Sequence, residues 1–140
     1  MNTSPDETAQ KDTGIRGQGE TILVLEDDQN VCSSIVAVLE GLGYRLLEAA
    51  DVSTAMFLLE EEGSTVDLLL SDIALPGGVG GPELAARAKE QYPKLKLVFM
   101  SGYAAELYTG DKVPGFDETL LSKPFELADL VKAVQDALAT

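Results

Sequence analysis

Histidine is absent from this chain and cysteine occurs once. Without histidine, neither a Ser-His-Asp nor a Cys-His nucleophile can be assembled, histidine-ligated zinc is excluded, and no phosphohistidine can form within the chain. A lone Cys32 cannot close an internal disulfide, so nothing asks for an oxidising compartment, and the residue reads as a small packing side chain. No apolar run approaches the roughly 18 residues of a membrane span. The polar, acidic N-terminus also lacks the apolar stretch of a secretion signal, so a cytoplasmic protein is expected. Basic residues are scarce, 10 against 24 acidic ones, for a formal charge of −14. Such a surface repels nucleic-acid phosphates and anionic lipid and favours metal cations and basic protein faces. Neither nucleic-acid nor membrane binding is expected.

What is present is one domain's worth of chain, 140 residues with 45 % apolar side chains, enough for a core. Residues 1–20 carry almost no large apolar side chain and read as a flexible leader; residues 21–139 read as the folded domain. TILVLE (21–26) is a continuous apolar run closed by acids, a buried strand. Val31, Ile35, Val38, Leu39 and Leu42 then recur at helical spacing until Gly43. The alternation continues with strands at 44–48, VDLLLSD (66–72), LKLVFMS (95–101) and TLLS (119–122). Helices are predicted over 52–62, from Pro82 to about Tyr92, weakly over 104–109, and on the stripe Leu127, Leu130, Val131, Val134 and Leu138. Repeated strand–helix units imply right-handed crossovers and a parallel sheet covered on both faces, a doubly wound α/β fold.

In such folds ligands bind outside the carboxyl ends of the strands. Those ends carry Glu26-Asp27-Asp28, Asp72, Ser101 and Lys123. Carboxylates gathered in one crevice repel one another, and a cation is needed to neutralise them. Oxygen-only ligands with incomplete protein coordination suit Mg²⁺, with Mn²⁺ as a substitute. A metal at Asp27 and Asp72 would leave one Asp72 oxygen free to attack a phosphoryl group. Lys123 and the Ser101 hydroxyl would then face the oxygens of the transferred group. Asp28 reads as a cap for the first helix. The glycines of 77–81 lack a following Lys-Ser/Thr and form a loop, not a nucleotide cradle.

The ordered set LVLEDD, LLLSDIALPG, LVFMSG and LLSKPF resembles the receiver domains of two-component response regulators, over roughly residues 20–139. LPGGVGGPELA, MSGYA and LLSKPF look most like receivers of hybrid sensor histidine kinases. The resemblance implies a flavodoxin-like (βα)5 fold with sheet order 2-1-3-4-5. It implies Asp72 as phosphoacceptor, Asp27 as a direct Mg²⁺ ligand, Glu26 acting through water, and the Ala74 backbone carbonyl as a further ligand. It makes Ser101 the switch hydroxyl, Lys123 the phosphate-binding lysine, and the Lys123–Pro124 bond cis. The partner implied is a sensor histidine kinase or a histidine phosphotransfer protein, with the chain a monomer or weak dimer. Output would come by protein contact, whether as a stand-alone regulator or as the receiver of a hybrid kinase. Leu120 stands where many receivers carry an inward-rotating Tyr or Phe, and Tyr103 is a candidate for the partner surface. No turnover of a separate substrate is expected. Two alternatives are an aspartyl-phosphate phosphohydrolase, against which Ala74 occupies the place of a second acid, and a docking pseudo-receiver that is never phosphorylated.

Overall fold

The computed structural model describes residues 19–73, 81–101 and 119–139. Five strands, β1 (Thr21–Leu25), β2 (Arg45–Ala49), β3 (Leu68–Asp72), β4 (Lys96–Ser101) and β5 (Thr119–Ser122), form one sheet. All neighbouring pairs are parallel and the order is β2-β1-β3-β4-β5, as expected. Four helices are described: α1 (Gln29–Gly41), α2 (Val52–Glu62), α3 (Gly81–Gln91) and α4 (Leu127–Ala139). The expected helix over 104–109 lies outside the described residues, as do residues 1–18 of the expected leader.

The sheet separates two cores because alternate side chains of a strand point to opposite faces. Ile22, Val24, Leu68, Leu70, Val98 and Met100 pack under α1 and α4. Leu23, Leu25, Leu69, Leu97 and Phe99 pack under α2 and α3. Both β1 and β3 are buried along their whole length, so neither shows the polar alternation of a one-sided strand.

Element ends differ from the sequence expectation by one or two residues, and each shift has a local cause. Gly43 adopts φ +100°, the left-handed conformation that glycine tolerates, and it sits two residues past the end of α1. Its N–H and that of Tyr44 bond back to Glu40 and Leu39 carbonyls, so β2 starts at Arg45, not Tyr44. Strand β3 starts at Leu68, not Val66. Asp67 closes the start of the β1–β3 ladder instead, its carboxylate accepting from Thr21 N–H at 2.9 Å and its own N–H donating to Thr21 O at 2.8 Å. The helix expected over 52–62 is followed by a single 3-10 turn (Gly63–Thr65). Gly19 and Glu20, placed in the leader by composition, are tied down: Gly19 N–H donates to Gly43 O, and Glu20 O accepts from Arg45 N–H.

Candidate functional site

The polar strand ends meet on one side of the sheet. Glu26 follows β1 directly and is only 2 % exposed, Asp27 projects into solvent, and Asp72 ends β3 at 5 % exposure. Carboxylate oxygens of Glu26, Asp27 and Asp72 all lie within 4.8 Å of one another. Asp28, the last of the acidic triplet, turns away from this group. It is the N-cap of α1, its Oδ1 accepting from Asn30 N–H at 2.9 Å and Val31 N–H at 3.2 Å.

Lys123, just past β5, reaches back into the cluster. Its Nζ donates to Glu26 Oε1 at 2.5 Å and to Asp72 Oδ2 at 2.9 Å. Sequence reasoning assigned this ammonium to a phosphate and the neutralisation of the acids to a metal alone. In the structure the lysine already supplies part of that neutralisation. Burial works against a charged lysine, but hydrogen bonds to Glu26 and Asp72 outweigh it and hold Lys123 above the ordinary lysine range. Glu26 moves up as well. Its burial outweighs the opposing hydrogen bonds from Lys123 and from Asp28 N–H, and the nearby Asp72 charge adds to the rise. The two directions have different causes: two carboxylates around one ammonium raise Lys123, whereas burial raises Glu26 against the pull of that ammonium.

The charge count is informative. By formal charge, three carboxylates and one ammonium leave two net negative charges in a space a few ångströms across. A hard divalent cation with oxygen ligands matches that deficit in both charge and donor type. Glu26 is poorly placed to be a direct ligand, because Oε1 faces Lys123 and Oε2 accepts from Asp28 N–H at 2.9 Å. Asp27 has no ion pair among the described residues, and Lys123 engages Asp72 through Oδ2.

Other expected site residues are placed more coarsely. Ser101 ends β4, paired in register with Ser122, and Leu120 sits in β5 opposite Phe99. The Lys123–Pro124 peptide is cis, as expected. Ala74 and Tyr103 lie outside the described residues. Cys32 is buried at 4 % exposure within the α1 core, as expected of a packing residue, with Sγ 3.7 Å from Glu48 Oε1. Burial, then the Glu48 charge and hydrogen bond, push its thiol up to about 11. That keeps it protonated and inert near neutral pH.

Two features were not read from the sequence. Beside Lys123 an open, mainly apolar groove of about 550 Å³ runs between Asn30, Val31 and Ser34 of α1 and Pro124, Phe125 and Leu127. Its lining shows in the sequence only as scattered apolar positions, and Leu127, the first residue of the apolar stripe of α4, is 46 % exposed. Ser71, beside Asp72, is completely buried. No helix described here is long and apolar enough to cross a membrane.

Comparison with known proteins agrees with this geometry. The profile of the response regulator receiver domain matches residues 22–135. The receiver protein CpdR of Brucella abortus is 39 % identical over 117 residues, which is 84 % of this chain and 95 % of CpdR. The sensor kinase CckA of Brucella abortus is 32 % identical over 133 residues, 95 % of this chain, which spans only 14 % of that kinase. The crystal structure of the receiver domain from the hybrid histidine kinase CckA superposes with a TM-score of 0.71 at 34 % identity, covering 84 % of this chain and 98 % of that one. With the family's strand order, its acidic cluster and a profile match over most of its length, this chain belongs to the response regulator receiver domain family of two-component signalling.

Proposed function

We propose that this receiver takes a phosphoryl group onto Asp72 from the phosphohistidine of a sensor kinase or histidine phosphotransfer protein, and that the modification alters its contacts with proteins. The observation that carries the reading is the convergence of Glu26, Asp27 and Asp72 on one point, bridged by Lys123 from the far end of the chain. Asp72 is the nucleophile because it ends the central strand and has one oxygen outside the lysine contact. Its attack forms a phosphorus–oxygen bond as the phosphorus–nitrogen bond to the donor imidazole breaks, and the departing nitrogen keeps the electron pair.

Asp27 and Asp72 would hold Mg²⁺, with the Ala74 carbonyl completing the protein's share and Glu26 acting through water. The ion supplies charge compensation for the phosphoryl oxygens. Glu26, with both oxygens engaged, orients Lys123 and buttresses the turn at Asp28. Lys123 is free to move from Asp72 Oδ2 to a phosphoryl oxygen once that carboxylate becomes an acyl phosphate. Ser101 would donate a hydrogen bond to another phosphoryl oxygen. The apolar groove between α1 and Phe125 adjoins Lys123, so a donor protein seated there would bring its phosphohistidine to the acids. The chain would act only on its own phosphorylation and dephosphorylation, without turnover of a separate substrate.

Incubation with acetyl phosphate and Mg²⁺ should add one phosphoryl mass to the intact protein, and Asp72→Asn should abolish the gain. An unchanged mass with acetyl phosphate and with a phosphorylated histidine phosphotransfer protein would refute the proposal.

A further inference from the structure

Ser71 precedes the acceptor and has no exposed surface. Alternation along β3 places it on the face of Leu69 and Ile73, in the apolar layer under α2 and α3, opposite to the face of Asp72. A hydroxyl in that layer is unfavourable unless hydrogen-bonded. It donates to the backbone carbonyl of Asp72, 2.9 Å away.

The strand register shows why that carbonyl needs a donor. Strand β1 pairs with β3 from Ile22–Leu68 as far as Leu25–Ser71, whereas β3 continues to Asp72 against Met100 of β4. Past Leu25 the chain turns toward β2, and Glu26 N–H donates to Ala49 O at 3.0 Å. On the other edge, Ile73 N–H donates to Met100 O at 2.8 Å. In a trans peptide the C=O points away from the following N–H, so the Asp72 carbonyl faces the β1 side, where the ladder has just ended.

We infer that Ser71 is a positioning residue for phosphoryl transfer to Asp72: its hydroxyl takes the place of the missing ladder donor and, with Met100 O, holds the Asp72–Ile73 peptide at both edges. The inference rests on the reading of Asp72 as acceptor. A peptide held at both edges limits the arc swept by the Asp72 carboxylate and sets the direction in which the chain leaves β3. Without the hydroxyl the plane rocks about the single bond to Met100, and attack-ready orientations become rarer.

Ser71→Ala removes the donor without adding volume, and Ser71→Thr keeps it. Two quantities would be measured: the phosphorylation rate with acetyl phosphate at saturating Mg²⁺, and the hydrogen-exchange rate of the Ile73 amide. Ser71→Ala should phosphorylate roughly three- to tenfold more slowly, the range expected for one lost hydrogen bond. Its Ile73 amide should exchange several-fold faster, and Ser71→Thr should restore both. Parental rates in Ser71→Ala would overturn the inference. So would slower phosphorylation that tracks a lower melting temperature while Ile73 exchange stays parental. If the parent accepts no phosphoryl group, the acceptor reading fails on its own, and Ile73 exchange still decides whether Ser71 holds the peptide.

Discussion

At the scale of single residues, Lys123 dominates the electrostatics of the site. With a side chain about one-fifth exposed, it neutralises two buried carboxylates that would otherwise face each other. Replacing it with methionine keeps most of the stem but leaves Glu26 and Asp72 without their cation. The expected loss is about 2 kcal/mol at pH 7.5, below the range for fully buried pairs because the lysine is partly solvated. The pH dependence has a definite sign. The folded-state value of Lys123 is raised, so the parent keeps the lysine contribution below 10.5 and loses it only as pH climbs through the higher folded value. In Lys123→Met the buried Glu26 loses an opposing hydrogen bond and rises further above 4.5. A raised carboxyl regains stability as pH falls through its folded value, so the gap between variant and parent should narrow from pH 7.5 to pH 5. Urea midpoints at the two pH values check this, and a constant gap would show that Lys123 acts through packing alone.

At the scale of elements, the first turn of α1 ties the acidic triplet to the fold. Asp28 caps the helix while its own N–H is held by Glu26 Oε2, so one short stretch both starts a helix and orients a buried acid. Asp28→Ala removes the side-chain acceptor but leaves the backbone donor. Unfolding free energy should drop by about 1 kcal/mol, with Mg²⁺ affinity changed by less than about twofold since Asp28 lies outside the cluster. Chemical denaturation and a magnesium titration separate the two effects. A variant as stable as the parent would contradict the capping role. The type of every described strand and α-helix was readable from local periodicity, because apolar runs and helical stripes are properties of neighbouring residues; the 3-10 turn at Gly63–Thr65 was not. The ends of the strands and helices were not readable either. Tyr44 and Val66 look like strand residues, but the first is held by the end of α1 and the second precedes the Asp67–Thr21 clasp.

At the scale of the whole molecule, a chain of charge −14 folds with three of its acids in one crevice. Mg²⁺ at a hundred times its dissociation constant should stabilise the fold by about 2.7 kcal/mol through mass action and raise the melting temperature accordingly. Asp27→Ala should stabilise the metal-free protein slightly, since Asp27 adds repulsion with no counter-ion among the described residues, and should abolish most of the metal response. Because Asp27 is exposed, its removal disturbs no packing. Melting curves with Mg²⁺, against NaCl of equal ionic strength as a screening control, decide the matter. An equal magnesium response in variant and parent would mean that the acids do not form the binding site.

The residues alone determined the alternation of strands and helices, the parallel doubly wound class, and which polar side chains stand at strand ends. Each follows from patterns a few residues long, and the family resemblance built on those patterns led to the strand order and the cis Lys123–Pro124 bond. Only the folded chain decided that Lys123 lies between Glu26 and Asp72, that Gly19 and Glu20 are tied to the turn before β2, and that β1 stops one residue short of β3 so that Ser71 must serve the Asp72 carbonyl. Those relations join residues far apart in the chain, or depend on where a neighbouring strand ends. Local periodicity holds no information about either, because both are set by how the sheet is assembled.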